Sequence, residues 1–157
     1  MKIKNYFFVA SIILLCNAFR AQQFQTGKAQ IKNDLEWIPV LISHDGTNTN
    51  EGIEASYALT NCGGNETVLL KLKNTNNFSV KTQWVNQVIT KDGKENYGNS
   101  KITFFASPPN SEKAGDCSGN NFPLVIKLSD FAVQANNFET FIGSNFFVIK
   151  PSNVNTK

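Results

Sequence analysis

The chain has 157 residues, with 15 Lys and Arg against 12 Asp and Glu, one His, three Cys and a formal charge of +3. Lys2, Lys4 and Arg20 all fall in the first 21 positions, so the remainder is near neutral. With no basic patch interleaved with aromatics, that remainder excludes a nucleic-acid surface, and its length allows one core but not two.

The amino end reads as a secretory signal peptide over residues 1–21. Met1-Lys2-Ile3-Lys4 is a basic tip, Tyr6 to Leu15 is an apolar run, and Ala18 and Ala21 are small residues at which a peptidase cuts. The run is about ten residues, half of the roughly twenty that span a bilayer, so no stable membrane insertion is expected after cleavage. Either cut discards Cys16. Lipidation of Cys16 is the competing reading, but Leu15 stands where a lipid-attachment site wants a small residue. A flexible lead over 22–33, a domain over 34–150 and a tail over 151–157 follow.

Cys62 and Cys117 are then the only cysteines left. An even pair in an oxidising compartment forms a disulfide, and two cysteines with His44 are too few soft ligands for zinc.

The first expected strand is Leu35 to Ser43, in which Pro39 lacks a donor and belongs at an edge that switches between two sheets. His44 to Gly52 is polar and reads as a loop. Ile53 to Thr60 alternates Ile53, Ala55, Tyr57 and Leu59 against polar residues, which gives a strand with one wet face. Asn61 to Asn65 is a turn. Val68 to Leu72 places Val68, Leu70 and Leu72 on one face and Lys71 and Lys73 on the other. Phe78 to Ile89 places Val80, Trp84 and Val88 together, which makes Trp84 a core residue. The Asn74-Thr75-Asn76-Asn77 link between these two runs predicts a hairpin, because Asn tolerates left-handed backbone.

Lys91 to Ser100 is a turn-rich connection, Lys101 to Ala106 a strand, and Ser107-Pro108-Pro109-Asn110 its stop. Phe122 to Phe131 alternates again as a strand, and Phe138 to Ile149 forms the last one or two, bent at Gly143. About seven short strands without a helical period predict an all-β, two-layer antiparallel sandwich of immunoglobulin-like type. The antibody pattern itself is missing. Cys62 precedes its strand, Trp84 follows it by 22 residues, and Gly115 stands where a tyrosine would precede the second cysteine.

Three kinds of site suggest themselves. His44 beside Asp45 is the sharpest catalytic pair, but strand neighbours point to opposite faces, and no nucleophile has a recognisable context. Asp45, Asn48, Asn50 and Glu51 crowd oxygens into one loop, yet Thr47 and Thr49 break the helix-flanked calcium pattern. Tyr97, with Asp92, Asn96 and Asn99 nearby, resembles a sugar-stacking platform, and Trp37 is a second ring of that kind.

The leader ending in Ala21-Gln22, Asn61-Cys62-Gly63 ahead of Val68-Leu69-Leu70-Lys71, the Trp84 strand and Gly115-Asp116-Cys117-Ser118-Gly119 together resemble small exported proteins of flavobacterial type. The resemblance spans Cys62 to Phe131. It implies export and a sandwich, and it transfers no catalytic residue.

The expectation is therefore a secreted or periplasmic, non-catalytic binding module without cofactor or metal. Its partner is an unknown protein or glycan, met through the loops carrying His44, Asp45, Asn48, Asn50, Asp92, Asn96, Tyr97 and Asn99 or through a sheet edge. The alternatives are a secreted carbohydrate-binding module and a small hydrolytic or metal-dependent enzyme using His44.

Overall fold

A computed structural model describes residues 35–42, 47–99 and 101–151. The leader with Cys16, the 22–33 lead, Ser43, His44, Asp45, Ser100 and the tail beyond Pro151 lie outside the described residues. The strands are β1 (Ile38–Pro39), β2 (Thr49–Asn50), β3 (Ile53–Cys62), β4 (Asn65–Asn74), β5 (Val80–Thr90), β6 (Glu95–Asn96), β7 (Ile102–Ser107), β8 (Ser111–Ala114), β9 (Val125–Lys127) and β10 (Phe138–Ile149). They form two antiparallel sheets. The first runs β1-β3-β4-β8, with β2 also on β3 and β9 also on β4; the second has β10 on one side of β5 and both β6 and β7 on the other. The expected all-β sandwich is the observed architecture. Its strand segments outnumber the expected seven because two-residue edges carry no readable alternation.

β3 and β4 are joined by Gly63 and Gly64 at φ 60° and 88°, the two left-handed positions that a tight hairpin needs. Asn61 Oδ1 accepts from Gly64 N at 2.7 Å and fixes the turn. Register then runs from Cys62 opposite Asn65 to Ile53 opposite Asn74. That register puts Ala55, Tyr57, Leu59, Val68, Leu70 and Leu72 on the buried face.

The expected hairpin between β4 and β5 does not form: β4 belongs to the first sheet and β5 to the second. None of Asn74 to Asn77 has a positive φ, so the left-handed turn that motivated the expectation is absent. Instead Asn74 is 1% exposed and its side chain spans both crossovers. Nδ2 donates to Phe78 O at 2.9 Å, Ser107 O at 3.2 Å and Pro108 O at 2.8 Å. Oδ1 accepts from Asn76 N at 3.0 Å. The chain is thereby carried from one layer to the other.

Trp84 is buried with its face-mates Val80 and Val88, as its phase in the strand requires. Its ring stacks on Phe146 at 5.9 Å, and its Nε1 donates to Asn86 Oδ1 at 2.7 Å. Its strand partner is Thr103 of β7, whereas Leu70 and Leu72 belong to the opposite layer. Pro39 does lie on an edge: β1 pairs with β3, and two residues later Leu41 bridges to Ile142 of the second sheet.

Three segments depart from the sequence pattern. Only Val125–Lys127 of the expected Phe122–Phe131 strand is extended, between two 3₁₀ turns, because Pro123 supplies no donor and its ring favours a turn. β8 carries the polar run Ser-Glu-Lys-Ala and gave no apolar signal, but pairs along the end of β4. The kink in β10 falls at Asn145, φ 52°, where the register shifts between Ser144 and Phe147. Gly143 serves close packing instead, since a Cβ there would meet Ile42 Cγ2 at 3.3 Å.

The expected disulfide links Cys62 to Cys117 across a separation of 55 residues, with the Cα atoms 5.1 Å apart. Such bonds persist in oxidising compartments. Replacing both cysteines by Ser should lower stability by about 3 to 4 kcal/mol, the loop-entropy value for this separation, in urea denaturation. Trp84→Ala should cost about 3 to 5 kcal/mol as a large core truncation. Asn74→Ala, which takes a donor from the Phe78 and Ser107 carbonyls while Pro108 O keeps the Ser111 hydroxyl, should cost about 1 to 3 kcal/mol although it removes almost no apolar surface. A midpoint unchanged by Asn74→Ala would show that the crossovers hold without it.

Candidate binding surface

The described parts of the two expected loops, 47–52 and 91–99, lie at opposite ends of the sandwich. Glu51 and Gly52 bond to Asn76 and Thr75, and Asn110 N bonds to Asn76 O, so that end gathers the sheet crossovers. Lys91 N bonds to Asn137 O and Lys91 Nζ to Asn136 O, which places the 91–99 connection at the other end. The two loops therefore do not build one site.

Among the described residues, the side chains of Asn50, Asp92, Asn96, Tyr97 and Asn99 are engaged in local hydrogen bonds. Asn50 Nδ2 donates to Phe146 O at 3.3 Å, tying β2 to the second sheet, and Asn48 O accepts from Ala55 N at 3.0 Å. Thr90 Oγ1 donates to Asp92 Oδ1, and this hydroxyl holds the carboxyl below its usual range. Asn96 Nδ2 donates to Lys94 O, and Asn99 Oδ1 accepts from Lys101 N. Tyr97 donates its phenol to Glu95 Oε2 at 2.7 Å and accepts from Gln87 Nε2 at 3.0 Å. The carboxylate acceptor pushes the phenol's pKa up. Trp37 carries the Lys71 ammonium 4.5 Å over its ring, so one of its faces is taken.

Three exposed apolar side chains, Ile102, Phe104 and Phe122, gather elsewhere, around a cleft of about 320 Å³ on the open side of the sandwich. One wall is β7, with Ile102, Thr103 and Phe104; the other is the 3₁₀ turn and β9, with Phe122, Pro123 and Val125. Asn99, Lys101 and Asp130 stand at its rim, and Asn86 lies deeper. Phe122 is 80% exposed, Ile102 55% and Phe104 45%. Among the described expected site residues, Asn99 is thus the one that reaches this cleft.

Local structure explains the Phe122 wall. Asn121 Nδ2 donates to Ala114 O at 2.8 Å, and Gly115 N donates to Leu70 O at 2.8 Å. A Cβ on Gly115 would lie 2.3 Å from Leu124 O, so only glycine lets the two backbones approach. The sequence reading placed Phe122 at the start of a strand and gave it no role; the signal was Pro123 directly after an aromatic, which breaks the strand and turns the ring outward.

β7 borders the cleft with a free edge, since among the described residues it pairs only with β5. Alternate residues of such an edge direct N–H and C=O groups away from the sheet.

Gly115→Ala should destabilise the protein by about 1 to 3 kcal/mol, as overpacking does, and broaden the NMR signals of Phe122 and Leu124 before those of the distant β3–β4 turn. Tyr97 should ionise above the ordinary tyrosine range. The absorbance difference between the protein and Tyr97→Phe should report this, and Glu95→Gln should move that titration down. Among the described residues no helix is long and apolar enough to cross a membrane. No protein-family model, curated protein or solved structure matches this chain.

Proposed function

We propose that the protein is a secreted or periplasmic, non-catalytic interaction module, an immunoglobulin-like sandwich that takes an extended segment of a partner protein along β7 and into the adjoining cleft. The observation that carries this reading is the unguarded edge of β7. The other edges are short, blunted or interrupted: β1 and β2 are two residues each, β1 with Pro39, β6 is two residues with Glu95, β8 carries Glu112 and Lys113, β9 is three residues ending in Lys127, and the longer edge of β10 is met by Leu41 at Ile142 and by the Asn50 amide at Phe146 O and is broken by the register shift between Ser144 and Phe147. β7 is six residues, Ile-Thr-Phe-Phe-Ala-Ser, without charge or proline. Natural sheets protect an edge of that kind unless it has a partner, and an added strand satisfies its main-chain groups while side-chain pockets set specificity. The disulfide supports an oxidising destination. The non-catalytic reading is supported by Asp92, Glu95 and Tyr97, whose ionisable groups are spent on local hydrogen bonds.

A glycan ligand is the second reading, favoured by the bare Phe122 ring beside the amides of Asn99 and Asn86. The test is selection of a displayed peptide library on the folded, oxidised protein, followed by calorimetry of the recovered peptides and of a glycan panel. Peptides with alternating apolar residues should be enriched, and Phe122→Ala should weaken them at least tenfold without altering the melting curve. Glycan binding without peptide binding, or peptides indifferent to Phe122→Ala, would overturn the strand-addition reading.

A further inference from the structure

The outward face of the first sheet carries a second hollow, of about 260 Å³, which shares no lining residue with the cleft beside β7. Register lays it out in two rows. Pro39 of β1, Ser56 of β3 and Lys71 of β4 stand side by side in one, and Glu54 of β3, Lys73 of β4 and Glu112 of β8 in the next. Since Ala55, Tyr57, Leu70 and Leu72 are buried in the core, these alternate positions point away from it. Trp37, two residues before Pro39, and Asn48 complete the rim.

Two kinds of polar group meet in the hollow. Lys73 pairs with Glu54 at 3.1 Å and Lys71 with Glu112 at 4.0 Å, so the four ionised side chains sum to no net charge. The Ser56 hydroxyl and the Asn48 amide are of the other kind. Both residues are partly buried, and among the described residues neither side chain has a hydrogen-bond partner. The amides of Asn50, Asn74, Asn86 and Asn96, by contrast, all bond within the protein. Polar groups removed from bulk water normally find partners, so an open hydroxyl and an open amide beside an indole leave hydrogen-bonding capacity for a ligand.

We propose that this hollow binds one ring of an uncharged saccharide, with Trp37 as its apolar wall and Ser56 and Asn48 as its hydrogen-bonding pair. A sugar ring combines C–H faces with neighbouring hydroxyls that donate and accept at once. The Ser56 hydroxyl does both, and the Asn48 amide donates through nitrogen and accepts through oxygen. Charge selects against other ligands. An anion would meet Glu54 and Glu112, a cation would meet Lys71 and Lys73, and an apolar peptide side chain would strip water from all four without replacing its hydrogen bonds. The Lys71 ammonium lies 4.5 Å over the Trp37 ring, so the sugar meets the ring surface left at the rim. The volume falls below the roughly 300 to 1,000 Å³ of drug-sized sites, which suits one ring rather than a longer segment. Ser56, Glu54, Lys71 and Lys73 sit on paired strands, so the groups are held in place before a ligand arrives.

This goes beyond the strand-addition reading and uses none of its residues. The oxidised, isotope-labelled protein is titrated with neutral, uronic and amino oligosaccharides while the indole N–H signals of Trp37 and Trp84 are followed by NMR. A neutral saccharide at millimolar concentration should shift the Trp37 indole and the Ser56 amide, leave Trp84 and Phe122 unmoved, and keep its affinity as salt is raised. Ser56→Val and Asn48→Ala should each weaken it about three- to tenfold, the worth of one hydrogen bond, with the melting curve retained. No shift of Trp37 with any sugar, a preference for uronic or amino sugars, shifts centred on Phe122, or an affinity indifferent to both variants would each overturn the proposal. Peptide binding that depends on Phe122 would survive all of these results, so the two readings fail separately.

Discussion

The amide of Asn74 is the contact on which the two layers depend. Its main chain is still within β4, paired to Ile53 on one side and Ser111 on the other, while its side chain binds carbonyls at Phe78, Ser107 and Pro108. Those carbonyls belong to the passage from β4 to β5 and the passage from β7 to β8, the two places where the chain changes sheets at this end. Carbonyls turned inward without partners are costly, and the two N–H groups of one amide are shared among these three. A side chain unable to donate would leave both passages without these bonds at once.

From that crossing follows the shape of the open side. β5 enters the second sheet at its centre and takes β10 on one flank, with β6 and β7 end to end on the other. The facing edge of the first sheet is likewise divided, with β8 and β9 docked on different stretches of β4. Between them Gly115 brings the chain against Leu124, and the 3₁₀ turn carries Phe122 out over β7. The cleft arises where β7 and the turn beside β9 fail to meet, and β7 is left without a second neighbour.

Much of the sandwich was legible because alternation records burial directly. Val68, Leu70 and Leu72, and likewise Val80, Trp84 and Val88, are buried as their phase requires. Pro39 marked an edge, and the expected Cys62–Cys117 bond is present. The β4–β5 connection was misread because Asn-rich links turn equally well within a sheet or between sheets. What decides is a contact 33 residues away, from Asn74 to Ser107, for which no local pattern exists. Phe122 to Phe131 failed differently: Leu124, Ile126 and Leu128 are all buried as their alternation requires, whereas Phe122, in phase with them, is exposed because Pro123 had broken the strand. As for the site, Asn and Asp mark turns and binding loops by the same chemistry. Sequence cannot tell an amide that closes its own turn, as Asn96 does, from one left free for a ligand.

The disulfide and Asn74 lie toward opposite ends of β4, and their separation has a consequence for the surface between them. Cys62 closes β3 next to the Gly63-Gly64 turn and ties it to the chain beyond β8, whereas Asn74 ties the other end to β7. A strand edge or an apolar face left open usually invites register slip and non-specific pairing. Here the strand ends are held by a covalent bond at one end and a buried hydrogen-bond cluster at the other, so β7 cannot slide relative to the first sheet without breaking the Asn74 contacts. The exposed surface can then be both adhesive and fixed in register. On the strand-addition reading proposed above, alternate residues held at set positions would let the edge discriminate among partners.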